Sequence, residues 1–127
     1  MKFIDLTKNM VNITEGINYS ARTPYSISVI NTEKNGKRIT LSSSLYQELE
    51  NPNKINIFLN ENTIILVPAE TGPTVSKKGR CIYCSKIVED ITKKFNLDYS
   101  NVTSHSFSAK LENDEETNQK FAIVKIQ

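Results

Sequence analysis

Short stretches in which apolar and polar residues alternate fill the chain from Tyr25 onwards, and this pattern constrains the fold more than any other feature. A period of two is typical of half-buried β-strands. Turn-forming residues separate the stretches, among them Asn35-Gly36 and Asn60-Glu61-Asn62, which favour hairpins. The pattern predicts seven strands, at 25–29, 38–41, 55–59, 63–67, 81–84, 105–111 and 121–126.

The period changes to that of an α-helix directly after two serine-containing segments. Leu45, Tyr46 and Leu49 follow Ser42-Ser43-Ser44, and a second apolar stripe follows Ser85. We therefore predict helices near 44–50 and 85–96. Ser44 and Gln47 have the spacing of a capping box at the start of the first helix.

A third helical stripe lies near the start of the chain and predicts a short amphipathic helix at about 5–14. We expect its apolar side chains to cap the core; they are Phe3, Leu6, Met10, Ile13 and Ile17.

The elements together predict an α+β fold that is mostly antiparallel β-sheet with two short helices, in a chain of 127 residues. Aligning Arg38 with Arg80 also aligns Ser43 with Ser85 and repeats the order of elements, which indicates a tandem duplication. A competing self-match aligns 25–28 with 105–108. The duplication divides the chain into an N-terminal amphipathic segment (1–24), a first unit (25–69), a connector (70–77) and a second, diverged unit (78–127).

Composition excludes several classes of function. No apolar run is long enough to cross a membrane, and Met1 to Asp5 lack the apolar stretch of a signal peptide, so we expect a cytoplasmic protein. One histidine and no glycine-rich phosphate loop leave no catalytic constellation, so neither an enzyme nor a cofactor is expected. The net charge of +2 permits a nucleic-acid partner without demanding one.

The two cysteines form a single Cys-x-x-Cys motif, Cys81 and Cys84. Together with His105 they are weak candidates for a metal site, because structural zinc requires a fourth ligand and the chain has no other Cys or His. We expect both cysteines to be reduced and to act as small apolar residues in a strand.

The stretch from Ser26 to Pro68 resembles the swapped-hairpin DNA-binding domain of the AbrB, MazE and MraZ families. The resemblance lies in a polar turn with Gly36 and Arg38, a strand that ends in serines, a helix with Leu45 and Leu49, and a final hairpin. Two positions depart from the family pattern: Ser42 stands where the family usually has proline, and Asn51-Pro52-Asn53 shortens the turn after the helix.

The resemblance implies two β-β-α-β-β units that interleave their hairpins, either within one chain as a pseudo-dimer or between two chains as a homodimer. It also implies that polar turns lie side by side and bind double-stranded DNA. The residues at these turns are Lys34, Lys37, Arg38, Lys77, Lys78 and Arg80. Two alternatives stay open: a non-enzymatic accessory protein that binds another protein, as antitoxin-like, phage or mobile-element proteins do, and turn charges that are merely solvated.

Overall fold

A computed structural model describes residues 2–11, 25–34 and 36–126. It shows an α+β fold, as the sequence predicts, with mostly antiparallel strands. The helices in these ranges are α1 (Phe3–Thr7), α2 (Ser43–Glu48) and α3 (Ser85–Phe95). The strands are β1 (Ser26–Asn31), β2 (Lys37–Leu41), β3 (Ile55–Leu59), β4 (Thr63–Pro68), β5 (Cys81–Tyr83), β6 (Ser104–Asn113) and β7 (Lys120–Lys125).

The seven strands form one sheet in the order β3-β4-β7-β6-β1-β2-β5, in which every neighbouring pair is antiparallel. The ten-residue β6 joins the two halves of this sheet. Ser104–Ser108 pair with β1, whereas Ala109–Asn113 pair with β7. The sheet therefore turns a corner at β6, and hairpins of the first and second predicted units alternate along it.

Residues 73–76 connect the two edge strands of the sheet. On one side, the amide of Ile55 in β3 donates to the carbonyl of Pro73 (3.1 Å), and the amide of Val75 donates to the carbonyl of Asn53 (2.8 Å). On the other side, Ser76 and Cys81 exchange two backbone hydrogen bonds. Residues 73–76 of the predicted connector therefore form backbone hydrogen bonds with both edges of the sheet. Val75 is buried in the core.

The core is a single cluster of apolar side chains enclosed by the curled sheet and covered by α2 and α3. Its largest fully buried members are Ile27, Val29, Ile39, Leu41, Leu45, Ile55, Ile64, Leu66, Ile82, Val88, Ile91 and Val124. Along β1, β2, β4 and β7 these side chains alternate with partly exposed ones, as the period of two predicts.

The cap of α2 differs from the predicted one. Ser42, not Ser44, is the N-cap: its backbone is extended and its Oγ accepts a hydrogen bond from the amide of Leu45 (3.4 Å). The same Oγ accepts a hydrogen bond from the amide of Ser26 in β1 (3.0 Å). A serine at this position therefore satisfies two backbone donors, which favours Ser42 over its neighbours.

The N-terminal helix is shorter than predicted and covers Phe3–Thr7. Leu6 and Met10 are exposed, so the expectation that these two side chains cap the core is wrong. Ile13 and Ile17, which belong to the same predicted stripe, lie outside the described residues.

Candidate nucleic-acid interface

The outward surface of β6, β1, β2 and β5 is lined mainly by small hydroxyl side chains. The residues that alternate with the outward ones, such as Val29, Ile39 and Ile82, are buried in the core. We call the exposed and partly exposed members of the outward set the hydroxyl face; they are Ser26, Ser28, Ile30, Arg38, Thr40, Tyr83, Ser104, Ser106 and Ser108. Cys81, opposite Thr40, is on the same side of the sheet but is buried. Within the segments that form this face, 26–30, 38–40, 81–83 and 104–108, there is no carboxylate. Farther along β6, Glu112 projects from the same side of the sheet and is paired with Lys110 (3.1 Å).

Strand register places the serines of two strands side by side. Ser26 is opposite Ser108, and Ser28 is opposite Ser106 with the two Oγ atoms 2.8 Å apart. The sequence match between 25–28 and 105–108 thus corresponds to two neighbouring strands in the structure. Because serine side chains are short, they leave the backbone of these two strands accessible, and they offer hydroxyl donors.

Arg38 and Tyr83 lie directly opposite each other at one end of the hydroxyl face. Tyr83 is 62% exposed, and a Cβ placed on Gly36 would lie 3.9 Å from Cδ1 of its ring. Gly36 has a φ of +83°, so the turn before β2 uses a conformation that favours glycine. Sequence reasoning assigned Tyr83 to a strand but no functional role, because alternation within three residues does not reveal which side faces the solvent.

The predicted lysines fall into two groups. Lys34, Lys77 and Lys78 are exposed on the turns. Lys37, in contrast, lies on the inner side of β2, where its Nζ donates to Oε1 of Glu89 in α3 (2.8 Å). This hydrogen bond and the nearby positive charge hold the pKa of Glu89 below its ordinary value. The charge of Lys37 is therefore compensated within the protein.

Arg80 does not occupy the place that the repeat assigns to it. Its backbone is left-handed (φ 53°), and its Nε donates to the carbonyl oxygen of Leu41 (3.1 Å). Arg38, in contrast, lies within β2 and is opposite Tyr83. Under the predicted alignment Ile82 would match Thr40, yet Ile82 is buried opposite Ile39. The strand faces are thus shifted by one residue relative to that alignment.

The two basic turns lie at opposite ends of the β2–β5 pair, because the strands are antiparallel and each turn precedes its strand. The length of β2 separates them by about 13 Å at ~3.3 Å per residue. The expectation that they lie side by side is therefore not what the structure shows.

The three weak metal candidates are not brought together. His105 is on β6 and Cys81 is on β5, with β1 and β2 between them. At about 4.8 Å per strand spacing, this separates them by roughly 14 Å. Searching the described ranges for three or more potential ligands close enough to hold a metal ion identifies no group.

The two cysteines have no redox geometry. Both are free, and the backbone from Cys81 to Cys84 is extended. Three extended steps span about 10 Å, more than the ~7 Å limit between the Cα atoms of a disulfide. Instead, Sγ of Cys81 lies 3.0 Å from the carbonyl oxygen of Gly79 and 3.3 Å from Oγ1 of Thr40. Cys81 thus packs the turn before β5 against β2.

Comparisons with known proteins give no relatives: no protein-family model, no curated protein and no solved structure matches this chain. In the part of the chain that the structure describes, no helix has the length and apolar character needed to cross a membrane.

Proposed function

We propose that the protein binds double-stranded DNA through the hydroxyl face and acts as a cytoplasmic regulator similar to the AbrB, MazE and MraZ families. The observation that supports this most is the composition of the face: hydroxyls, one arginine and one exposed tyrosine, with no carboxylate among the residues that form it. Hydroxyl and basic side chains are the usual partners of DNA phosphates, whereas carboxylates would repel them. The proposal includes no catalytic step.

The distance between the two basic turns is close to the width of the major groove of a DNA duplex. About 13 Å separates the ends of β2, and the major groove of DNA is about 12 Å wide. Lys34 at one end and Lys77 with Lys78 at the other would therefore contact phosphates on the two sides of one groove. Arg38 lies at the Lys34 end of β2, where its Nη1 donates to the carbonyl oxygen of Gly36 (3.5 Å), and in this proposal it would contact a base edge, for which a guanine is the preferred partner.

Arg80 and Lys37 have different roles from those the resemblance implies. The guanidinium of Arg80 is hydrogen-bonded to the backbone of Leu41, and the ammonium of Lys37 is paired with Glu89. In this proposal both residues shape the ends of the β2–β5 pair, and the exposed lysines supply the charge.

Replacing Lys34 and Arg38 together by alanine should weaken DNA binding about tenfold or more at ~50 mM salt and flatten its salt dependence. Each phosphate contact contributes about −0.9 to the slope of log affinity against log salt, and Lys34 is the phosphate contact of this pair, so the slope should become less steep by about one. Fluorescence anisotropy with a labelled duplex measures both quantities.

The matched control removes two positive charges from elsewhere. Lys93 and Lys94 are exposed in the last turn of α3, away from the hydroxyl face. The K93A/K94A variant should retain nearly the full affinity and slope. Equal losses in both variants would mean that binding depends on total charge and not on this face.

A protein-binding role is the second candidate, and it is favoured by a different surface. The outward side of β3, β4 and β7 carries apolar side chains, including Phe58, which is 55% exposed. This surface lies in the other half of the sheet from the hydroxyl face, so a partner bound there would not depend on DNA binding.

A further inference from the structure

An apolar face covers the outward side of the other half of the sheet. Phe58, Ile65 and Ile123 form a continuous row across β3, β4 and β7. Val67 and Phe121 lie beside this row on the same side, because their neighbours Leu66 and Ala122 are fully buried. We call these five residues the apolar face.

An acidic turn borders this face and forms a groove with it. Ile65, Val67 and Phe121 line the floor of the groove, which has a volume of about 540 Å³, and Asp114, Thr117 and Gln119 line its wall.

The acidic turn itself is held in shape by one carboxylate. Asp114 accepts hydrogen bonds from the amide of Glu116 (3.2 Å) and the hydroxyl of Thr117 (2.8 Å). Glu115 and Glu116 are exposed beside the groove. The groove thus combines an apolar floor with a negatively charged rim.

The N-terminal segment has the complementary chemistry. Its residues Ile4, Leu6, Met10 and Val11 are between 54% and 85% exposed, although all four are apolar. Lys2 and Lys8 are also exposed, and Asp5 is the only acidic residue of the described range 2–11. This segment is therefore an apolar, positively charged strip that leaves its own apolar side chains in the solvent.

We propose that the N-terminal segment of one copy docks in the groove of a second copy, and that the exchange is reciprocal and gives a symmetric dimer. Apolar side chains of the segment would cover Ile65, Val67 and Phe121, while Lys2 and Lys8 would approach Glu115 and Glu116. An exchange of identical segments buries the same surface twice and closes on itself. Thirteen residues separate Val11 from Tyr25 in the sequence, and an extended chain of that length reaches at most about 46 Å at ~3.3 Å per residue, which is enough to reach another molecule.

Sedimentation velocity of the full chain over a range of concentrations tests this proposal. The wild type should be dimeric, and M10S/V11S should shift it toward monomer by at least tenfold in dissociation constant. Both replaced side chains are exposed, so the fold of the monomer should not change. A wild type that is monomeric at every concentration tested would overturn the proposal. A monomer whose N-terminal segment binds its own groove would give that result.

Charge reversal tests the pairing itself. K2E/K8E and E115K/E116K should each weaken the dimer, because each brings like charges together. A chain that combines all four substitutions should regain dimerisation close to that of the wild type. Dimerisation that is insensitive to both reversals, or that the combined variant does not regain, would contradict the proposed contact.

Discussion

Replacing Ser106 by glutamate is expected to reduce affinity for duplex DNA by at least tenfold at ~50 mM salt. Ser106 is exposed on β6, one strand away from β1, and its Oγ lies 2.8 Å from that of Ser28. A carboxylate there would stand against the phosphates of a bound duplex, and such like-charge contacts cost several kcal/mol. Anisotropy or gel-shift titration measures the loss.

Two control variants distinguish the effect of the negative charge from the effects of side-chain size and of position on the sheet. S106Q introduces a side chain of similar length without charge and should retain most of the affinity. Thr63→Glu adds the same charge to the outward side of β4, in the other half of the sheet, and should have a small effect. The account would be wrong if S106E bound DNA as the wild type does, or if Thr63→Glu were equally damaging.

Truncating Ile82 to alanine should lower the free energy of unfolding by about 2–5 kcal/mol, as is usual for a large apolar side chain in a packed core. Ile82 is 1% exposed and lies opposite the equally buried Ile39. The neighbouring Tyr83→Ala is the matched variant: Tyr83 is mostly exposed, so its truncation should cost less than about 1 kcal/mol.

Urea unfolding of the two variants provides the comparison. If Tyr83→Ala were the more destabilising change, the faces of β5 would be reversed, and Tyr83 would not belong to the hydroxyl face. Tyr83→Ala should instead weaken DNA binding while leaving the fold intact.

The strands and the two main helices could be predicted because their signals are local. In 55–59 and 63–67 the alternation and the Asn60–Asn62 turn coincide with β3 and β4 almost residue for residue. The period of α3 likewise predicts its buried Val88 and Ile91. These patterns depend only on which side of an element meets the core.

The predictions differ from the structure where contacts between distant parts of the chain determine the local conformation. Ser42 caps α2 because it also meets Ser26, sixteen residues earlier. Residues 73–76 contain Pro73 and follow Gly72, so they resemble a linker until β3 and β5 are seen to bond to them. The sequence does not show which side of β5 faces the core, because three residues give too little alternation between apolar and polar side chains.

The candidate site was predicted only in part for the same reason. The basic turns are visible in the sequence, but the partner of Lys37 is 52 residues away on α3. The hydrogen bond from Arg80 to Leu41 also spans a large separation along the chain. The serines of β1 and β6 become a single surface only when the two strands pair, which the sequence match between them did not reveal.

Chemical-shift mapping by NMR with a DNA duplex at low salt tests the central claim most directly. On titration, the backbone amides of 26–30, 38–40 and 104–108 should shift together, with those of the turns that contain Lys34 and Lys77. The amides of 63–67 and 121–125, on the other half of the sheet, should stay near their free positions. Shifts confined to that other half, or no shifts with a folded protein, would contradict the assignment of the hydroxyl face as a DNA-binding surface.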